Sequence, residues 1–262
     1  MIKAPSIPKQ KSASPENNSH AFELRPPGEA DPLEEKRTHV YGKCVVCDTE
    51  PRGHRTHRDA SPVELVLNHS EGFIPLWAKG MTLHWRFQDR SLMQLSNPNK
   101  AKGEIRELLS EAILAWGRPT PINFKEEDDV WDFEIVVRTV NETRNAGSLL
   151  ASSFFPDSGR HKFIIYPDWF GLSREEQVDT LIHELGHVFG LRHFFANIED
   201  DQAAFFGTQR KFTIMTYGPN STLTKADKTD LRRLYEEVWN GTLTSINGTP
   251  IRLMKPFNTL GT

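Results

Sequence analysis

Cysteine is nearly absent. Cys44 and Cys47 are the only two in 262 residues, so no disulfide framework holds the chain together. Long apolar runs are missing as well: no segment approaches the roughly 18 consecutive apolar residues that a spanning helix needs. The first residues also lack the apolar h-region of a secretory signal. Nor is there an excess of basic charge. The 32 Lys and Arg stand against 35 Asp and Glu, a net charge of −3, which leaves no footprint for nucleic acid. These absences lead to the expectation of a soluble monomer without membrane or nucleic-acid partners, cytoplasmic by default. One feature pulls toward a secretory route. Asn17, Asn68, Asn141, Asn220, Asn240 and Asn247 each begin an Asn-x-Ser/Thr sequon, which matters only in that compartment.

Apolar residues are also scarce, at 37% of the chain, below the globular norm. The deficit is concentrated between Lys3 and Leu33, a stretch rich in Pro, Ser, Asn and Glu. Such a segment cannot bury enough surface to offset its ordering entropy. Residues 1–38 are therefore expected to be a disordered lead, and 39–72, with both cysteines and several histidines, a pro-segment or linker.

Periodicity appears from Phe73 onward. Met81, Leu83, Trp85 and Phe87 alternate with polar positions, as in a half-buried strand. Ile105, Leu108, Leu109, Ala112, Ile113 and Trp116 form one stripe of a helix over Gly103–Trp116, which Gly117 and Pro119 stop. Trp131–Arg138, Leu149–Phe155 and Lys162–Tyr166 are further strand candidates, the last two separated by the turn-forming Pro156-Asp157-Ser158-Gly159. A second helix opens with a capping box, Ser173 with Glu176, and ends at Gly190. A last helix spans Lys225–Trp239, and the polar tail after Asn240 carries no pattern.

The second helix contains His183-Glu184-Leu185-Gly186-His187. Positions four apart lie one above the other on a helix face, so His183 and His187 can present two imidazoles to one ion. Glu184, one residue on, can lean over the metal without joining its shell, which suits a base for a metal-bound water. After Gly190 the chain can swing back, and His193 stands where a third ligand would complete a three-histidine site with one position for water. Five such fixed positions match by chance with odds on the order of 10⁻⁵ to 10⁻⁴. A helix with surface histidines would not set two of them among leucines and valines.

His183–His193, HELGHVFGLRH, resembles the metzincin signature HExxHxxGxxH, and Ile214-Met215-Thr216-Tyr217 resembles its Met-turn. Gly147-Ser148-Leu149-Leu150-Ala151 with Phe155-Pro156 resembles the substrate-facing edge strand of the matrixins. Leu109–Phe124, with Trp116 and Pro121, resembles their first helix and its exit. The chain departs from the matrixin pattern at Phe194 after the third histidine, and at Tyr217, which is placed as in astacins and serralysins. Only His161 and Asp157 are offered toward the second, structural zinc or the calcium ions of the family.

The resemblance implies an α+β fold with a twisted mixed sheet, an active-site helix and a C-terminal subdomain ending in a helix, over residues 73–240, with 241–262 an irregular tail. It implies one catalytic Zn²⁺ held by His183, His187 and His193 over Met215, and peptide or protein substrates paired to the edge at Leu149, Leu150 and Ala151. Glu184 would be the general base of an endopeptidase and Tyr217 the donor to the oxyanion. A pseudoenzyme that binds peptides without cleaving them is the rival reading, and retention of Glu184 argues against it. A closed structural zinc site would need four protein ligands where the motif supplies three.

Three readings of Cys44-x-x-Cys47 stay open. With His54 and His57 the pair could hold a structural zinc, either thiol could block the catalytic zinc as a latency switch, or neither has a special role.

Overall fold

The computed structural model describes residues 45–46, 65–68, 72–118, 120–144, 147–193, 203–207, 213–215 and 221–259. Two short strands, β1 (Val45–Val46) and β2 (Leu65–Asn68), precede β3 (Ile74–Trp77) and β4 (Thr82–Phe87). A single turn, α1 (Asp89–Leu92), leads to the long helix α2 (Pro98–Trp116). Six strands follow: β5 (Asn123–Glu126), β6 (Phe133–Val137), β7 (Thr143–Arg144), β8 (Gly147–Leu149), β9 (Ala151–Ser152) and β10 (His161–Ile165). Then come α3 (Pro167–Phe170), α4 (Arg174–Val188), β11 (Ala203–Phe206), α5 (Lys225–Trp239), β12 (Ser245–Ile246) and β13 (Thr249–Met254).

The fold is α+β. Its main sheet has the order β5-β4-β6-β10-β9. The first four strands are mutually parallel and β9 is antiparallel on the edge. Parallel neighbours need a crossover, and α2 supplies it between β4 and β5. The alternation in β4 buries Leu83, Trp85 and Phe87. β6 is buried on both faces. There Glu134 is neutralised by Arg86, whose Nη2 lies 2.8 Å from its carboxylate, and by a hydrogen bond from Gln88. β5, by contrast, is mostly exposed, which is why no apolar period marks it.

Helix α2 begins five residues before the expected Gly103. Asn97 caps it by accepting from the Lys100 amide, and Pro98 takes the first helical position, where its missing N–H costs nothing. Helices α2 and α4 pack together on the sheet, and the bond from Trp116 Nε1 to the Ile182 carbonyl, 3.0 Å, joins them. The expected strand Leu149–Phe155 is broken at Leu150. β8 turns away to pair with β7 and β1, while β9 stays on β10.

The C-terminal tail is not irregular. Residues 245–254 form the hairpin β12–β13, and β13 adds in parallel to β3, with Ile251 opposite Ile74 and Met254 opposite Trp77. Farther on, the Asn258 amide donates to the buried Asp132 carboxylate at 3.0 Å. The tail is half-exposed and its partner β3 is remote in the sequence, so no local pattern announces it. β2, within the expected linker 39–72, pairs with β11. The lead 1–38 lies outside the described residues. No helix among the described residues is long and apolar enough to cross a membrane.

The last turn of α4 is tied from two sides. Trp77 on β3 donates its indole N–H to the Val188 carbonyl at 2.7 Å. The Tyr235 hydroxyl on α5 donates to the Phe189 carbonyl at 3.1 Å and accepts from the Trp77 amide. Burial pushes the Tyr235 phenol well above its usual range, so it stays a neutral donor. Tyr235→Phe leaves both backbone groups buried without this partner and is expected to destabilise the fold by about 1–3 kcal/mol. Urea unfolding followed by circular dichroism measures the loss; an unchanged midpoint would show that the tie carries no stability.

Candidate metal centre

Helix α4 is set by local chemistry before any metal is considered. The Ser173 hydroxyl accepts from the Glu176 amide while the Glu176 carboxylate takes the Ser173 amide, a complete capping box worth about 1 kcal/mol. At the other end the Leu191 amide bonds to the Gly186 carbonyl and the Gly190 amide to that of His187, a Schellman closure. Gly190 sits at φ +91°, and an added Cβ would press on Leu76 at 3.0 Å. Only glycine turns the chain back at this point without strain. The turn delivers His193 toward the face that carries His183 and His187.

All three histidines are buried, and one ring nitrogen from each lies within 4.8 Å of the others. His183 Nδ1 is 2.7 Å from the Ile214 carbonyl and His187 Nδ1 is 2.7 Å from the Leu191 carbonyl. A carbonyl can only accept, so both Nδ1 atoms carry the proton and both Nε2 lone pairs turn inward. His183 Nε2 and His193 Nε2 are 3.0 Å apart. Tetrahedral zinc at its usual bond lengths would set two such nitrogens about 3.3 Å apart. The 3.0 Å approach is also the length of an N–H···N hydrogen bond, and a cation in place of that proton would be shared by the same nitrogens, so the donor set fits zinc. Burial, with the two neighbouring imidazoles adding to it, holds the His187 imidazole well below the usual histidine range. It is neutral and ready to ligate at neutral pH.

Glu184 is 2% exposed, and its Oε2 lies 2.8 Å from the Ser153 hydroxyl. Ile214 and Met215, the first two residues of the segment that resembles the Met-turn, lie against the same helix. The Thr213 hydroxyl donates to Asp227 on α5 at 2.6 Å, and the Met215 amide reaches Thr213 at 3.3 Å. Asp227 also closes the capping box of α5 with Thr224. The Ile214 carbonyl that orients His183 is thereby anchored to α5. Phe155 sets its ring edge-to-face with His187 at 5.5 Å.

Of the residues expected to bind substrate, Ala151 lies on the edge strand β9 and Leu150 directly before it, its carbonyl accepting from the Tyr166 amide. The Leu149 side chain is buried with Val136, Ile164 and Tyr166. The Leu149 backbone on β8 runs beside Val46 of β1. Tyr217, Phe194, Cys44, Cys47, His54 and His57 lie outside the described residues. His161 stacks on Phe154 at 4.3 Å, and the only ligand cluster of three or more among the described residues is the His183, His187, His193 group. Sequence reasoning missed Ser153, Thr213, Asp227 and the orienting carbonyls, none of which carries a motif.

A helix that delivers two imidazoles and a glycine-turned exit that delivers the third make this a metzincin-type centre. The profile of the matrixin family, peptidase family M10, matches residues 77–236. The chain belongs to the matrixin family, whose members are zinc-dependent. It is similar to matrix metalloproteinase-C of Caenorhabditis elegans, 31% identical over 108 residues, covering 36% of this chain and 19% of that protein. The match thus spans less than two thirds of the relative's length. Among solved structures it is similar to myroilysin, at 16% identity over 59% of this chain and 79% of that one, with a TM-score of 0.38.

The glycine inside the motif has a packing role. A methyl group on Gly186 would overlap the Met215 sulfur, approach its Cε at 3.1 Å and touch Trp116 at 3.6 Å. Alanine is the better helix former by about 1 kcal/mol. Even so, Gly186→Ala is expected to destabilise the protein by about 1–3 kcal/mol, because the site is full. Zinc affinity should weaken as Met215 is displaced. Gly103→Ala in α2, where a Cβ meets open space, should stabilise by up to about 1 kcal/mol. Thermal melts of both variants check the pair; a stabilised Gly186→Ala would refute the packing argument.

Proposed function

We propose that this chain is a zinc endopeptidase. The observation that carries the reading is the convergence of His183, His187 and His193 with Glu184 on the adjoining turn, in a chain of the matrixin family. The three histidines would hold Zn²⁺. When bound, the ion supplies Lewis-acid chemistry, lowering the pKa of a water and polarising the scissile carbonyl. Glu184 accepts the proton of the attacking water and later passes it to the leaving amine. The place of Tyr217, two residues after Met215, supports its role as a donor to the oxyanion. Peptide or protein substrate lies extended along the edge at Leu150 and Ala151, pairing through its backbone.

The pairing of β1 with β8, Val46 opposite Leu149, supports a second element of this proposal. Residues 45–46 pair with β8, which ends one residue before the edge strand β9, so this segment would compete with a substrate that extends past Leu150. Nicking the chain between Val46 and Leu65, which spares β2, is expected to raise kcat/KM on short peptides; an unchanged rate would remove the competition from the account.

The central test is cleavage of a mixed peptide library by the wild type, a chelated sample and Glu184→Ala. Cleavage should vanish with chelation. It should fall about 10²–10⁴-fold in the variant, which should still bind zinc. Cleavage that survives Glu184→Ala would overturn the assignment of the base. No cleavage by the wild type, nicked or intact, would replace the peptidase with a peptide-binding protein.

A further inference from the structure

Ser153 follows the edge strand β9 directly and is fully buried. Its hydroxyl meets α4 at two points on one residue, the Glu184 carboxylate Oε2 at 2.8 Å and the Glu184 backbone carbonyl at 2.9 Å. The second contact alone would be an ordinary way to satisfy a buried serine. The first is different in kind, because it restrains the end of a side chain that must act on a water. A glutamate carboxylate rotates broadly about its last torsion, and a buried donor on one oxygen removes that freedom. A charge-assisted hydrogen bond between buried groups is also among the stronger contacts a side chain makes.

We propose that Ser153 is a positioning residue for Glu184, fixing the orientation in which its carboxylate meets the attacking water. The hydroxyl has one proton and two acceptors within reach, so it can donate to the carboxylate before proton transfer. Once Glu184 is protonated it can accept from the acid while donating to the backbone carbonyl. Either arrangement leaves every partner satisfied, and Ser153 itself gains and loses no proton. Because Ser153 follows β9, the strand that aligns substrate also sets the base, coupling the register of the bound peptide to the geometry of attack.

This inference rests on the peptidase reading, and its test has one arm that does not. Ser153→Ala and Ser153→Cys both remove the hydroxyl, and the cysteine keeps most of the volume should the alanine variant fold poorly. In the zinc-loaded enzymes, kcat is expected to fall about 10-fold with KM within 2-fold and zinc content per chain unchanged. In crystals of the zinc-free proteins, the Glu184 carboxylate should hold one rotamer in the wild type and spread over more than one in the variants. An unchanged kcat, or a loss that tracks lost zinc or lost stability, overturns the proposal, as does a single wild-type rotamer retained in the variants. If the wild type cleaves no peptide, the peptidase reading fails, and the crystallographic arm still decides whether Ser153 orients Glu184.

Discussion

Three indoles hold the helix on which the chemistry depends. Trp169, Trp116 and Trp77 are fully buried, and each donates its ring N–H to a carbonyl of α4: those of Gln177, Ile182 and Val188 in turn. They come from α3, from the end of α2 and from β3, so three separate elements meet on one helix. Each indole contributes a large apolar surface and one directional bond. The surface fixes how closely the helix approaches and the bond fixes its rotation and register. Two imidazoles one turn apart converge on a point only if that rotation is right.

The same logic extends outward from the histidines. Backbone carbonyls of Ile214 and Leu191 choose the tautomer of His183 and His187, and the chain that supplies Ile214 is tied through Thr213 to Asp227 at the start of α5. Orientation by an outer shell is a common requirement of metal ligands. Here the outer shell is largely main chain, so it depends on the fold as a whole.

This explains which parts were legible in the sequence. The bounds of α5 and the capped start of α4 follow from contacts within four residues, and the periodicity of Leu231, Leu234, Tyr235 and Val238 states them openly. The histidine motif is equally local. β5 was missed because its residues face solvent and carry no period. β13 was missed because its partner is β3, remote from it in the sequence. Ser153 and Asp227 were silent for a related reason: a serine and an aspartate are ordinary in composition, and only the folded neighbourhood gives them a partner. The break at Leu150 was silent too: the turn there sends β8 away from the sheet edge and places the Leu149 side chain in a small apolar cluster of its own.

The double tie on the end of α4, by Trp77 and Tyr235, bears on how the molecule opens. Helix ends ordinarily fray, and their amides exchange with solvent through small local openings. Here the carbonyls of Val188 and Phe189 are held by side chains from β3 and α5, so this end cannot loosen until both elements let go. Amides near His187 would then exchange at the rate set by unfolding of the whole domain. The histidine-bearing turn would then share the lifetime of the native state.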